Sequence, residues 1–325
     1  MFLRRIVIIA RSTFWETVRQ PIFGIVLCLA AALIALSPSF AMFSLLENVR
    51  LVKEMGLSTV FLAGLVLAVL TAMGGVSSEI EGGTALTLLA KPVSRGAFVL
   101  GKFFGFSVGL GAAVYLLSIV LLFAVRVGVP EAAWSQLDLL PLWAGGGAVL
   151  ASVGVGLLAN FFFDRNFQAT AVGTALIAFT AAFVFLGFIG PGRELAAFPA
   201  GMDTGVIRAC VLVCAAVWLM GAAAVAFATR LPYGAGVLAC SLFGLWGLLS
   251  DYLFGRHAGV NPFAAVIYAV SPNLQVLWAA NAVSAGKFIP NSYIALGVSH
   301  ALLWTAALLA VGAAAFEGRE MSGRA

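Results

Sequence analysis

The sequence predicts an all-α integral membrane protein, and three observations support this. Hydrophobic residues make up 62% of the 325 residues and charged residues only 10%, whereas about a quarter of the residues of a soluble domain are charged. The apolar residues form runs of roughly 20, the length that a helix needs to cross a hydrocarbon core of about 30 Å. They do not form spans of about 10 residues with alternating polarity, as in β-barrels. The runs predict about eight transmembrane helices, at Pro21–Ser37, Leu57–Val76, Gly101–Val125, Leu140–Phe163, Phe167–Gly190, Gly205–Thr229, Tyr233–Phe254 and Tyr293–Phe316.

Residues 1–20 predict an amphipathic helix that lies in the membrane interface, with one apolar side and one basic side. Gln20-Pro21 ends this helix, because proline disfavours helical backbone at the residue before it. The alternative is a signal peptide with a small-residue site near Ser39-Phe40-Ala41, but a basic region of about 20 residues is long for one. The apolar side carries Leu3, Ile6, Val7, Ala10, Phe14 and Val18, and the polar side carries Arg4, Arg5, Arg11, Ser12, Glu16 and Arg19.

The sequence as a whole predicts a single membrane domain over residues 1–325, without a linker or a second domain. Cytoplasmic loops carry the excess of Lys and Arg, and this excess places both termini and the loop 77–102 in the cytoplasm. The segment 255–292 is then external. The net charge of +5 is ordinary for such a cytoplasmic face and does not indicate nucleic-acid binding.

The loop 77–102 predicts a short amphipathic helix between two turns. Gly82-Gly83 breaks the chain, Thr84 can cap a helix, and Lys91-Pro92 would end it. The run from Gly96 to Lys102 has the spacing of a phosphate-binding loop, but Phe103 stands where that loop needs Ser or Thr to hold magnesium. This chain is therefore not expected to hydrolyse ATP, and an ordinary cytoplasmic loop is the plain alternative.

The same loop resembles the loop between the second and third spans of ABC-2 type transporter permeases, the membrane subunits of ATP-driven exporters. A weaker likeness extends over the chain, in the N-terminal helix, in the residues from Leu51 to Leu57 and in those from Ser271 to Gln275. The loop positions that carry the resemblance are Glu79, Glu81, Gly83, Thr84, Leu88, Leu89, Lys91, Pro92, Val93, Ser94, Arg95, Phe98, Val99, Leu100, Gly101 and Lys102.

The resemblance implies that the loop is a coupling helix that docks on a separate ATP-binding subunit. It implies two such subunits, a second permease chain as homo- or heterodimer, and a bacterial inner membrane. ATP and magnesium would be held by the partner, with no cofactor on this chain. The acids Glu79 and Glu81 would pair with bases of the ATPase, and Arg95 and Lys102 with acids or phosphate headgroups. The implied coupling residues are Glu79, Glu81, Thr84, Leu88, Leu89, Lys91, Pro92, Arg95 and Lys102, with Leu86 as a further apolar contact.

The number of spans departs from the resemblance, since six is usual for the family and the sequence predicts eight. Gly205–Thr229 and Tyr233–Phe254, joined by a tight Arg230-Leu-Pro turn, would be an extra hairpin inserted into a six-span core. Alternatively, one apolar run is re-entrant.

Two further groups of residues are candidates for packing and gating. Gly101, Gly105 and Gly109 form two GxxxG steps, which indicate close helix packing, either between subunits or within one subunit. In 255–292, Ser271 would cap a helix with Pro272 in its first turn, followed by Asn273. Two short helices would dip into the outer leaflet there, as an external gate or as a surface lid.

Few residues indicate other chemistry. Cys28, Cys210, Cys214 and Cys240 lie in apolar runs without ligand spacing, and we interpret them as structural thiols rather than a metal site. His300 lies within the last span, where we expect it to be hydrogen-bonded. No catalytic constellation is apparent, so an enzyme is the least favoured class. The alternative to an exporter subunit is an ATP-independent secondary carrier or a membrane scaffold, although mid-span ionisable residues, which such carriers use, are nearly absent.

Overall fold

The structure is a computed structural model that describes residues 2–41, 48–81, 94–128, 138–190 and 193–317. Within these ranges it contains eleven α-helices and no β-strand. The 3-10 turns Gly255–His257 and Gln275–Leu277 lie between the later helices. The α-helices are α1 (Phe2–Arg19), α2 (Pro21–Ala41), α3 (Asn48–Glu81), α4 (Arg95–Val127), α5 (Leu140–Phe163), α6 (Phe167–Gly187), α7 (Thr204–Ala228), α8 (Tyr233–Leu253), α9 (Pro262–Val270), α10 (Ala280–Ser284) and α11 (Asn291–Glu317).

Eight helices of the described part, α2 to α8 and α11, are long and apolar enough to cross a membrane. They correspond one to one with the eight runs predicted from the sequence, which confirms an all-α polytopic bundle. The chain is a multi-pass membrane protein. Between α8 and α11, α9 and the segment Gln275–Ser284 are bent by 58° at a short break, and they supply the two short helices predicted for this region.

The helices α3 and α4 are much longer than their apolar runs. They contain 34 and 33 residues, so at 1.5 Å per residue each is about 50 Å long, against a hydrocarbon core of about 30 Å. The excess includes the charged residues Glu79 and Arg95, which lie together with Lys102 where α3 ends and α4 begins. We call this end of the bundle the loop end.

The centre of the bundle is α7, the first helix of the pair that the sequence predicts as an extra hairpin with α8. The most apolar window of α7 is 72% buried, the largest share among the spans, and the helix packs on α3, α4 and α11. By contrast, α5 and α6 pack mainly on each other, and their windows are only 17% and 22% buried. The peripheral hairpin is therefore α5 and α6.

The amphipathic helix α1 is present, but its orientation differs from the prediction. Ile6 and Val18 from the predicted lipid side are buried in protein, together with Thr13 and Thr17. Leu3 remains 75% exposed. Ile6, Thr13 and Thr17 lie on one face, because spacings of seven and four residues correspond to about two turns and one turn of helix, and α1 packs on α4. The prediction places the whole apolar side of α1 in lipid. In the structure, part of that side is covered by protein instead.

Candidate functional site at the loop end

Part of the predicted coupling segment lies outside the described residues. Thr84, Leu88, Leu89, Lys91 and Pro92 fall there, as do the predicted helix that begins at Thr84 and the side chain of Glu81. The two flanks are described.

The second predicted helix begins where expected. The Ser94 hydroxyl accepts a hydrogen bond from the Ala97 backbone N–H at 3.3 Å, and α4 starts at Arg95. This capping satisfies one of the unpaired N–H groups of the first turn.

Lys102 joins three helices at the loop end. Its side chain is only 3% exposed, and its Nζ lies 2.6 Å from Glu79 Oε1 and 3.1 Å from Glu16 Oε2. Glu79 belongs to α3, Glu16 to α1 and Lys102 to α4. A buried ammonium needs such partners, because desolvating an unpaired charge costs several kcal/mol. The ammonium predicted to meet partner acids or phosphate headgroups is thus directed into the chain itself.

Arg95 attaches the start of α4 to the end of α11. Its Nη1 donates to the Phe316 carbonyl at 2.8 Å and to the Glu317 carbonyl. The guanidinium lies 5.7 Å from the Phe316 ring centroid, and that ring stacks on Phe98 at 5.6 Å. A cation at a helix C-terminus is favourable, because the last carbonyls carry partial negative charge.

The glycine face of α4 packs on α1 of the same chain. A Cβ atom added to Gly105 would lie 2.6 Å from the Ala10 carbonyl oxygen, so only glycine permits this approach. Contacts advance by four residues on both helices in the same direction, which means that α1 and α4 run side by side. The contacting pairs are Ile9 with Gly101, Thr13 with Gly105 and Thr17 with Gly109. Of the two alternatives for these glycines, the structure shows packing within the subunit.

Four helices are therefore joined to one another at the loop end. Lys102 connects α1, α3 and α4, and Arg95 connects α4 to α11. Charge-assisted hydrogen bonds, which are stronger than neutral ones, and the close glycine contacts hold the ends of these helices together. The arrangement can transmit a mechanical displacement into the bundle.

The predicted gate residues form an anchor on α8, at the end of the bundle opposite the loop end. Ser271 follows the last residue of α9, and its hydroxyl donates to the Ile267 carbonyl at 2.7 Å. The expectation that Ser271 caps the next helix is therefore wrong. Asn273 has the capping role instead, because its Oδ1 accepts from the N–H groups of Gln275 and Val276 at 2.9 and 3.3 Å.

A second set of contacts fixes the same segment to α8. Trp246 Nε1 donates to the Ser271 hydroxyl at 3.1 Å, and the Pro272 carbonyl oxygen and Leu274 pack closely over Gly247. Ser271 and Asn273 are both buried. These contacts make the segment a fixed part of the fold.

Sequence reasoning missed Glu16 as a site residue. The helical pattern places Glu16 on the polar side of α1, and it is 86 positions from Lys102 in the chain. The sequence indicates a special role for Glu16 only in that it is an acid on an otherwise basic helix face. Phe316, near the end of the last span, carried no signal.

Within the described ranges, no group of three His, Cys, Asp or Glu side chains could hold a metal ion. The four cysteines are free thiols. The fold and the loop end define a polytopic helical membrane protein in which charged contacts join the end of α3 and the start of α4 to each other, to α1 and to α11. No known protein-family model matches the sequence, and no curated protein matches it.

Proposed function

We propose that the chain is the membrane-spanning permease subunit of an ATP-driven exporter of the ABC-2 type. A separate ATP-binding subunit would dock on the loop between α3 and α4, and two permease chains would pair with two such subunits. The observation that carries the proposal is the loop sequence from Glu79 to Lys102, whose two flanks are joined by the Glu79–Lys102 ion pair at 2.6 Å.

The contacts at the loop end supply a mechanism for coupling. When two ATP-binding subunits close on ATP, each displaces the loop docked on it. Because Lys102 binds Glu79 and Glu16, α1, α3 and α4 shift as one unit, and Arg95 carries α11 with them. Of these helices, α3, α4 and α11 pack on α7, the most buried span, so their shift alters the packing at the centre of the bundle and opens a path outward.

The proposal also states in which membrane the chain lies and which subunit binds ATP. The resemblance implies a bacterial inner membrane, and the Lys and Arg excess favours an orientation with the loop and both termini on the cytoplasmic side. ATP and magnesium belong to the partner subunit, and the chemistry of hydrolysis takes place there. The substrate passes through the permease or between its two copies.

Affinity capture from native membranes tests the proposal. The tagged chain is purified in mild detergent, and co-purified proteins are identified for the wild type, Glu81→Lys and Lys91→Glu. The matched control is Lys287→Glu, the same charge reversal at an exposed lysine near the start of α11. We expect an ATP-binding subunit with the wild type and the control, and its loss with the two loop variants. Absence of an ATPase from the wild type in several detergents, or equal capture by all variants, would overturn the proposal.

A second candidate is an ATP-independent, ion-coupled carrier. The observation in its favour is the buried Lys102 with two carboxylates, because ionisable groups within a span often mark an ion path. The cluster lies near the ends of α3 and α4 rather than at mid-span, which favours the coupling role. Substrate transport by the purified chain alone in liposomes, driven by a proton gradient and lost in Glu16→Gln, would identify the carrier.

A further inference from the structure

A groove lies at the elbow between α1 and α2, just before the first span begins. Pro21 is the first residue of a candidate membrane span, so we place the groove at the level of the membrane surface. The elbow is held in place by α6, because Gln168 Nε2 donates to the carbonyls of Val18 and Gln20, both at 2.7 Å. The residues that line this elbow groove are Ser12, Trp15, Glu16, Arg19, Gln20 and Pro21.

The elbow groove contains a positive and a negative group side by side. Arg19 is exposed, and its guanidinium lies 5.9 Å from the Trp15 ring centroid. Glu16 keeps 39% of its side chain exposed, while one of its oxygens binds Lys102. Residues three apart on a helix have Cβ atoms about 5–6 Å apart, so Glu16 and Arg19 are spaced to contact one dipolar ligand.

An exposed apolar face of α2 continues from the groove into the membrane. Its members recur at intervals of three or four residues, so they line one side of the helix. Their exposed fractions run from 39% to 66%. They are Ile22, Ile25, Leu29, Leu33 and Leu36.

We propose that the elbow groove binds the headgroup of a zwitterionic aminophospholipid from the surrounding bilayer. The lipid phosphodiester binds the Arg19 guanidinium, since arginine matches phosphate oxygens with two parallel N–H donors. The lipid ammonium lies beside the Glu16 carboxylate and the Trp15 ring, which attract cations. The acyl chains lie along the exposed face of α2. This inference does not depend on the exporter proposal.

The chemistry of the headgroup favours an aminophospholipid over an anionic lipid. Arg19 attracts the phosphate of either lipid. Only the aminophospholipid also offers an ammonium to the Glu16 carboxylate, which keeps 39% of its side chain exposed. A choline headgroup would keep the charge, but it has no N–H to donate to Glu16.

Lipid retention measured by native mass spectrometry tests the inference. The delipidated wild type is mixed with phosphatidylethanolamine, phosphatidylglycerol or phosphatidylcholine in detergent. We expect phosphatidylethanolamine to be retained most strongly. Arg19→Gln should lower its retention roughly tenfold, the equivalent of one charge-assisted contact of about 1.4 kcal/mol.

Two variants refine the test. Arg256→Gln is the matched control, because Arg256 also lies over an aromatic ring, 5.1 Å from the Tyr252 centroid, but outside the elbow groove. Glu16→Gln should remove the preference for ethanolamine over glycerol headgroups while retaining phosphate binding through Arg19. Melting temperatures of all variants establish that they fold.

Several results would overturn the inference. One is equal retention of the three lipids by the wild type, and another is an equal loss in Arg19→Gln and Arg256→Gln. A third is full competition by water-soluble glycerophosphoethanolamine at the concentration of the lipid, which would assign the groove to a soluble phosphoester. Failure of soluble glycerophosphoethanolamine to compete supports the lipid.

Discussion

Lys102 Nζ lies 2.6 Å from Glu79 Oε1, and this contact closes the base of the loop between α3 and α4. Glu16 joins the same ammonium from α1 at 3.1 Å. The three helices at the loop end are therefore joined by a buried charge, and its loss would remove the ammonium that Glu16 and Glu79 share. Several experiments follow from this arrangement and from the packing around it.

Replacement of Lys102 by Met should destabilise the fold strongly. It leaves Glu16 and Glu79 facing each other without the ammonium, and breaking a buried ion pair by removing one partner costs about 3–5 kcal/mol. Lys287→Met, at an exposed lysine, is the control. The measurement is the free energy of unfolding in mixed micelles. Equal stability of the two variants would show that the buried pair contributes little.

Replacement of Gly105 by Ala should force α1 away from α4. The new Cβ would meet the Ala10 carbonyl oxygen at 2.6 Å and the Thr13 Cβ at 2.5 Å, and overpacking of this kind costs about 1–3 kcal/mol. Gly96→Ala on the same helix meets no atom within 4 Å. It should stabilise the protein by up to about 1 kcal/mol, because alanine favours helix over glycine. Thermal unfolding of both variants in detergent checks the opposite signs.

Cysteines at positions 17 and 109 should form a disulfide in a background without the native cysteines. A Cβ at Gly109 would lie 3.5 Å from the Thr17 Cβ, within the range of about 3.5–4.5 Å found in disulfides. The control pairs position 109 with position 15, on the groove side of α1. Oxidation followed by protease cleavage between the helices reports the bond. Equal cross-linking by both pairs would contradict the side-by-side packing of α1 and α4.

Asn273→Ala should loosen the turn after α9, whereas Asn273→Asp should do so less. Both variants lose the hydrogen bond from the Asn273 amide to the Tyr268 hydroxyl, but Asp keeps the acceptor for the N–H groups of Gln275 and Val276. Loss of such a cap costs about 1 kcal/mol. Hydrogen exchange of the amides in 275–284 should be fastest in the Ala variant. Equal rates in both variants would show that capping does not hold this turn.

The sequence predicts much of the fold because hydrocarbon thickness sets the length of an apolar run. Leu140–Phe163 is the same in the prediction and in the structure. The prediction falls short at α3 and α4, where the helix continues beyond the apolar runs to residues such as Glu79 and Arg95. Hydropathy registers only the apolar part of a helix, whereas Glu79 and Arg95 make polar contacts with Lys102 and with the end of α11.

The arrangement of the helices was less predictable. An amphipathic pattern shows that α1 buries one face, but it does not distinguish lipid from protein as the cover. The choice depends on Gly105, where a missing side chain admits α1. In the same way, the Glu16–Lys102 pair joins residues 86 positions apart, and only the packing of α1 on α4 brings them together.

Photo-crosslinking in living cells tests the central proposal most directly. A photoreactive amino acid replaces Leu88 in the loop. In a separate control variant, it replaces the exposed Phe288. We predict that position 88 alone forms an adduct with an ATP-binding protein. We also predict that Lys91→Glu reduces this adduct. Absence of any such adduct at position 88, or the same adduct at position 288, would contradict the assignment of the loop as the docking site of an ATPase.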